Sequence, residues 1–492
     1  MTALNMTGAS SASLHAWDAV PWSKVERQVR RLQMRIAKAF REGRCHKVKA
    51  LQRLLTHSRS AKVLAVRRVT TNAGRYTPGV DGVRWTTPKQ KWQAAATLRR
   101  HGYRALPLRR ISIPKKNGKP RPLGIPSMKD RAMQAVYVLA LDPIAETTAD
   151  PNSYGFRAHR SAADAIEQCF ILLARKTSSQ WILEGDIKAC FDCIDHDWLR
   201  AHIPMDTTTL EAWLKSGYCE QGRWFPTSEG TPQGGIASPT LANMTLDGLE
   251  NVVAQAIPKG HKAHVVRYAD DFIVTGDSRE VLESCIKPAI VQFLLVRGLE
   301  LSPEKTRLSH IDGGFDFLGF NVRKYKGKLL IMPARKNVSA FLANIREIIK
   351  THPTAKTVNL IQMLNPKIRG WANYYRHVVA SHVFNYVDHH LYVALDRWVK
   401  RRHPNKNRHW QKSRYFCQIG GDRWCFYAPI HHHGKPACTL LVKTSSVKIQ
   451  RHIKIQAKAI PYDPLYGKYF ARRLAKPPKR SFSVAAGSLP AC

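Results

Sequence analysis

Val265-Val-Arg-Tyr-Ala-Asp-Asp-Phe-Ile-Val274 is the stretch whose reading decides the fold. It reads as two short apolar strands around a tight acidic turn. Asp270 and Asp271 stand side by side between apolar flanks. Carboxylates held there repel each other and resist desolvation, and a divalent cation is the usual agent that offsets the cost. Taken alone, an Asp-Asp pair is more often a solvated turn. Working outward, a second apolar strand, Trp181-Ile-Leu-Glu-Gly-Asp186-Ile187, carries a carboxylate 84 positions before Asp270. If the two strands are neighbours, Asp186 completes an oxygen-only site, which suits Mg2+. Two such ions can activate a hydroxyl, stabilise a pentavalent phosphorus and support a leaving pyrophosphate.

The charge points to the class of partner. Lys and Arg number 79 against 35 Asp and Glu, a net of +44. Such a chain repels itself unless a polyanion neutralises it, and nucleic acid is the polyanion expected. The excess is uneven. Asn321 to Cys492 holds 33 basic and 5 acidic residues, leaving 46 and 30 for the first 320. With 492 residues, 44% of them hydrophobic, the chain can bury a sizeable core and divide into about two to four domains. No run of about 18 apolar residues occurs, so no membrane-spanning helix is expected. The first 22 residues lack a basic stretch leading into an apolar one, so no secretory signal is expected. Ten cysteines without a paired framework read as reduced thiols of a cytoplasmic protein. Cys417, Cys425 and Cys438 near His431, His432 and His433 fit no standard zinc spacing.

Residues 23–70 read as helical and very basic. Val25, Val29, Leu32, Ile36 and Ala39 recur at helical spacing, and a second helical stretch covers 45–66. Asn72 to Gly82 reads as a loop. Ile111 to Pro114 and Arg121 to Ile125 form a hairpin whose tip, Lys115-Lys-Asn-Gly-Lys119, is cationic. Helices are expected over 129–147, 161–175, 336–350, 357–364 and 382–400. Strands and helices alternate without a repeating unit, so the core is mixed α/β, of the α+β kind. Beyond 403 basic and aromatic residues mingle and no element is assigned; Lys476 to Cys492 reads as a disordered tail. Trp371, Tyr374 and Tyr375 beside Arg369 and Arg376 offer either a stacking surface for nucleic acid or the core of a helical domain. Trp398 with Lys400-Arg401-Arg402, and Trp410 with Lys412 and Arg414, repeat that mixture.

Tyr268-Ala-Asp-Asp271 resembles the Y-x-D-D box of reverse transcriptases. Arg109 to Lys115, Arg121 to Pro126, Asp130-Arg131, Ser153 to Arg157, Asp186-Ile187, Phe191-Asp192, Gly230 to Gly235, Ser238-Pro239, Leu241 to Asn243 and Gly314 to Gly319 resemble, in order, successive blocks of group II intron reverse transcriptases. The Phe191-Asp192 block also accounts for the Cys190-x-x-Cys193 spacing. Asn365-Pro366 and Arg369 to Tyr375 resemble that family's maturase, or thumb, block, and residues 23–82 its N-terminal extension. The resemblance implies a right-hand polymerase. A basic helical extension would span 1–82, fingers and palm 83–325, a helical thumb 326–400, a basic nucleic-acid-binding region 401–475 and a tail 476–492.

It further implies RNA-directed DNA polymerase activity. Asp186, Asp270 and Asp271 would be catalytic, and Asp186, Ile187, Asp270 and Asp271 would hold two Mg2+ ions, with Mn2+ able to substitute. Lys115, Arg121, Phe191 and Gln233 would bind the incoming dNTP. In that reading Lys115 and Arg121 neutralise the triphosphate, Phe191 is a steric gate against a 2′-hydroxyl, and Gln233 contacts the nucleotide and template pair. Arg369, Trp371, Tyr374, Tyr375, Arg376, Lys400, Arg401 and Arg402 are the expected nucleic-acid contacts. The implied partners are group II intron RNA, target DNA, an RNA template with its DNA primer, and dNTPs, near the nucleoid of a bacterial cytoplasm and with no membrane. The implied biology is assistance to splicing followed by target-primed reverse transcription. The His/Asn/Cys-rich endonuclease of many relatives has no expected counterpart after residue 475. Two other readings stand beside this one. A splicing-only maturase is opposed by the intact Asp186, Asp270 and Asp271. A reverse transcriptase recruited to host defence or repair is left open.

Overall fold

The computed structural model describes residues 17–114, 118, 120–419, 421–432 and 435–474. The hairpin tip from Lys115 to Asn117, Lys119, and the expected tail over 476–492 lie outside them. Helix Trp22–Arg41 turns Val25, Val29, Ile36 and Ala39 inward, the stripe its spacing predicts. The second basic stretch is two helices, Cys45–His57 and Arg59–Thr71. Ser58 divides them, because its extended backbone lets its hydroxyl cap the second helix by accepting from the Ala61 amide. All three pack on helix Met128–Thr148, which is buried along most of its length.

Strands β1 (Leu108–Pro114) and β2 (Pro120–Ile125) form the expected antiparallel hairpin. Strand β3 (Trp181–Asp186) belongs to a central sheet, whereas β4 (Tyr218–Glu220) and β5 (Arg223–Phe225) extend the hairpin sheet, β4 running parallel to β1. Strands β6 (Ala263–Tyr268), β7 (Asp271–Gly276) and β8 (Arg307–His310) join β3 in the order β6-β7-β3-β8, all antiparallel. Both faces of this sheet are covered. Val265, Phe272 and Val274 enter one core, with Leu183 and the helices behind it. Val266 and Ile273 enter another, with Tyr154, Phe317 and Phe320. That double burial is why the run is continuously apolar rather than alternating. Strands β9 (Phe315–Phe317), β10 (Phe320–Tyr325) and β11 (Lys328–Pro333) make a separate small sheet.

Three long helices follow, Arg335–Thr351, Thr357–Tyr375 and Ser381–Arg402. The middle one runs past its predicted end at 364 and through Pro366. An interior proline costs about 3 kcal/mol of helix stability. Tertiary contacts offset that cost: Asn365 Nδ2 donates to the Leu440 carbonyl at 2.9 Å, and its Oδ1 accepts from the Val442 amide at 2.8 Å. The region left unassigned contains a sheet, β12 (Phe416–Ile419), β13 (Asp422–His432) and β14 (Lys435–Leu440). Its Phe416, Phe426 and Ala428 share one core with Val338, Leu360, Leu391 and Trp398 of the three helices.

The chain then returns across the molecule. Ile455, Ala459 and Phe470 are buried beside Tyr154 and Ile166. Arg160 Nη2 donates to the Ala457 carbonyl at 2.8 Å, Arg30 donates to the Pro461 carbonyl, and Arg41 pairs with Asp463. Arg376 and Gln450 exchange bonds at 2.8 Å. One segment thus ties the first helix, the central sheet and the C-terminal helices together. No helix among the described residues is long and apolar enough to cross a membrane.

Candidate active site

The acidic turn is built from both sides. Tyr268 pairs with Asp271, leaving Ala269 and Asp270 as a two-residue loop. Ala269 takes a left-handed φ of 58°, as the first position of such a tight hairpin turn requires. Arg267, 1% exposed, fixes it from below. Its guanidinium donates to the Ala269 carbonyl at 3.3 Å, to Asn243 Oδ1 at 3.2 Å and to Asp247 at 2.5 Å. Gly155 closes the other side, where a Cβ would come within 2.3 Å of the Ala269 amide nitrogen.

Asp186 stands directly opposite Asp271 in the β3–β7 register. Directly opposed residues of an antiparallel pair lie about 4.5–5.5 Å apart at Cα, so the sequence expectation that these strands are neighbours holds. Burial, then Asp186, Asp270 and Glu184, push the Asp271 carboxyl up to about 7. Burial and Asp186 also raise Asp270, while Lys305 and Arg121 oppose the rise. Lys305 Nζ donates to Asp186 Oδ2 at 2.7 Å. Sequence reasoning missed this lysine, because it follows the turn by many residues and nothing local marks it. A polar cleft of about 380 Å3 opens on this face, lined by Glu184, Asp186, Asp271, Lys305, Arg307 and Lys336 among others.

Among the described residues no three His, Cys, Asp or Glu side chains are gathered into a metal cage. The chemistry of the donor set nevertheless fits a divalent cation. The donors are all oxygen, and burial together with the neighbouring carboxylates raises Asp271 to about 7, a cost that a bound cation would offset. The Ile187 side chain is 2% exposed and packs in the core, so only its backbone carbonyl could serve such an ion.

Of the expected nucleotide contacts, Lys115 lies outside the described residues. Arg121 is exposed on β2 and its charge acts on Asp270. Phe191 is half-buried, its carbonyl accepting from the Thr231 amide at 2.6 Å. Gln233 Nε2 donates to Asp192 Oδ2 at 3.0 Å, and its carbonyl accepts from the Gly124 amide of β2 at 2.9 Å. Gln233 and Asp192 line, with Pro122 and Gly124 of β2, a second cleft whose lining includes none of Asp186, Asp270 and Asp271.

The expected nucleic-acid contacts divide. Arg369, Tyr374, Lys400 and Arg401 are exposed. Tyr375 is 2% exposed, donates to the Gly319 carbonyl at 3.1 Å and packs on Phe320, so it offers no stacking face. Trp371 stacks on Phe341 at 4.6 Å and serves the core, as does Trp398. Arg376 is half-buried against Gln450, and Arg402 donates to the Ala355 carbonyl at 2.7 Å. Trp371 is covered by a neighbouring helix, whereas Tyr375 is covered by strand β10 and the Gly319 turn.

Comparison with known proteins agrees with this geometry. Residues 113–322 match the reverse transcriptase (RNA-dependent DNA polymerase) family, 17–98 the N-terminal domain of reverse transcriptase, and 338–416 the group II intron maturase-specific domain. The protein YkfC of Escherichia coli is 31% identical over 317 residues, covering 54% of this chain and 80% of that one. The chain belongs to the group II intron reverse transcriptase/maturase family. The group II intron-encoded protein LtrA of Lactococcus lactis is 27% identical over 429 residues, covering 67% of this chain and 70% of that one. This group II reverse transcriptase is an RNA-directed DNA polymerase with a mixed α/β reverse-transcriptase fold. The carboxylate turn lies within the matched polymerase region, and Arg369, Tyr374 and Arg401 lie within the maturase-specific one.

Proposed function

We propose that this enzyme copies RNA into DNA by two-metal nucleotidyl transfer at Asp186, Asp270 and Asp271. It would bind group II intron RNA, assist its splicing and extend a primer at the DNA target. The observation that carries the reading is the pairing of Asp186 with Asp271, with Asp271 pushed to about 7 by burial and then by its carboxylate neighbours. Mg2+, or Mn2+ in its place, would supply charge neutralisation and Lewis acidity at these oxygens. The chain's own residues do the rest. Arg121, with Lys115 near it in sequence, offsets triphosphate charge. Phe191 lies under the sugar and leaves no room for a 2′-hydroxyl. Gln233, held by Asp192 and Gly124, meets the nascent pair. In this reading β1 and β2 are fingers, the β6-β7-β3-β8 sheet is the palm, and the three helices from Arg335 are the thumb. Intron RNA would meet exposed basic residues such as Arg369, Lys400 and Arg401, where phosphate contacts dominate affinity.

Primer extension tests the reading. The full chain with an RNA template, a DNA primer and Mg2+ should incorporate dNTPs, and Asp271→Ala should not. Extension by Asp271→Ala at the parent's rate would remove Asp271 from the chemistry.

A further inference from the structure

One aromatic residue beside the carboxylate turn has a placement that folding does not explain. Phe156 has a left-handed φ of 57°. For an L residue other than glycine this is a strained backbone. Both flanks enforce it. Gly155 is wedged against Ala269, and its carbonyl accepts from Asn243 Nδ2 at 2.8 Å. Arg157, 8% exposed, donates to Glu146 at 2.8 Å and to the carbonyls of Asp150 and Ser153 at 2.8 and 2.9 Å. The Phe156 ring between them is 56% exposed. Burial is what a phenylalanine gains from folding, so this exposed ring recovers only a fraction of it against its strained backbone.

Among the described residues its one aromatic contact is with Phe191, edge to face, centroids 6.2 Å apart and planes at 74°. Such pairs prefer this geometry. Phe191 also packs against the large core. The gate ring therefore touches both the core and Phe156, and Phe156 is anchored to the acidic turn through Gly155.

We infer that Phe156 is a positioning residue of the sugar gate: its edge fixes the Phe191 ring where it excludes a 2′-hydroxyl, so Phe156 helps choose deoxyribonucleoside over ribonucleoside triphosphates. This rests on the reading of Phe191 as the gate. The physical argument is rotational. A half-buried phenylalanine without a neighbour on its open side can tilt, and a tilt of that ring opens the space a 2′-hydroxyl needs.

The test is single-nucleotide insertion on an RNA template and DNA primer by the full chain. It compares kcat/KM for matched dNTPs and rNTPs in the parent, Phe156→Gly, Phe156→Leu, Phe191→Val and Phe156→Gly with Phe191→Val. Glycine accepts φ 57° freely, so Phe156→Gly should melt no lower than the parent. The preference for dNTPs should fall about tenfold in Phe156→Gly and less in Phe156→Leu, chiefly as a lower KM for the rNTP. In the Phe191→Val background the glycine should change the preference by less than about twofold, because a residue acting through Phe191 has nothing left to act on. An unchanged preference in Phe156→Gly, with a large change in Phe191→Val, overturns the proposal and leaves the gate standing. No change in either overturns both. A KM raised equally for dNTPs and rNTPs makes Phe156 a primer or template contact and overturns the proposal.

Discussion

Asp164 and Asp271 are both carboxylates drawn out of solvent, and their surroundings push them in opposite directions. Burial raises Asp164, but hydrogen bonds from His452, Ser161 and the Ile455 amide outweigh it and hold the group at about 2. Arg473 adds a fourth partner at 2.7 Å. Asp271 has burial and three carboxylate neighbours, and stands at about 7. The first carboxylate is saturated with donors and locks the returning C-terminal segment onto helix Ala162–Leu173. The second is held short of positive charge beside the other two aspartates. A buried acid whose donors are complete is part of the scaffold. One whose donors are incomplete, at the edge of a cleft, is where a cation and a reaction belong.

The largest effect that tests this contrast is on catalysis. Asp270→Ala or Asp271→Ala should lower cDNA synthesis by about 10^3-fold or more, since each removes a fixed charge from the transition-state site. RNA affinity should change little in either variant and should fall steeply with salt in all of them. Primer extension and filter binding at two salt concentrations read both. A variant that loses RNA binding with its activity would make the turn a structural element like Asp164.

Asp164→Ala should do the reverse. It leaves Arg473 and His452 without their buried partner, which typically costs about 3–5 kcal/mol. The segment from Arg451 to Leu474 should detach first, because Asp164 is its most buried anchor. Hydrogen exchange across that segment would show it. Protection equal to the parent's would mean that Ile455, Ala459 and Phe470 hold the segment without the carboxylate.

Titration separates the two groups next. Asp164 is depressed, so its contribution to stability is present above about 3.8 and is lost as pH falls through about 2. Asp271 is raised, so in metal-free protein its penalty is absent below about 3.8 and complete once pH rises through about 7. Asp271→Asn should therefore be more stable than the parent at pH 8 in EDTA, by on the order of 1–4 kcal/mol, and no more stable at pH 4. Mg2+ should raise the parent's melting temperature at pH 8 more than the variant's. Thermal melts in the four conditions decide it, and a less stable Asp271→Asn at pH 8 would contradict the excess of negative charge.

The same contrast explains what could be read from sequence. The turn, its flanking strands and the 84-residue step back to Asp186 are local patterns, doubly buried strands showing as apolar runs. The Asp164 cluster joins residues 288 and 309 positions apart, and no local signal marks it. Strands β12 to β14 were illegible for a related reason: their basic and aromatic residues read as a nucleic-acid surface, whereas Phe416 and Phe426 fill a core with Trp398. The helix expected over 357–364 falls short of its true end because Asn365's bonds to Leu440 and Val442 are made far along the chain. Sequence marked the candidate carboxylates and missed the tertiary anchors around them.

The smallest effects concern the arginines, where the contrast recurs with the sign reversed. Arg402 is satisfied: it donates to the Ala355 carbonyl and lies 5.0 Å over the Trp398 ring. Arg369 and Arg401 are exposed and make no ion pair among the described residues. A guanidinium with free donors on a strongly basic face is available to phosphate. Arg369→Ala and Arg401→Ala should each weaken intron RNA binding by about 1 kcal/mol, and reduce the slope of log K against log salt by about one. Their melting temperatures should match the parent's. Arg402→Ala should lower the melting temperature and leave the salt slope alone, because what it loses is packing and a backbone bond. RNA titrations at several salt concentrations, beside thermal melts, separate the classes. If Arg402→Ala changed the slope as much as Arg401→Ala, donor saturation would not distinguish scaffold from nucleic-acid contact on this surface, and the contrast drawn from the two aspartates would hold only for carboxylates.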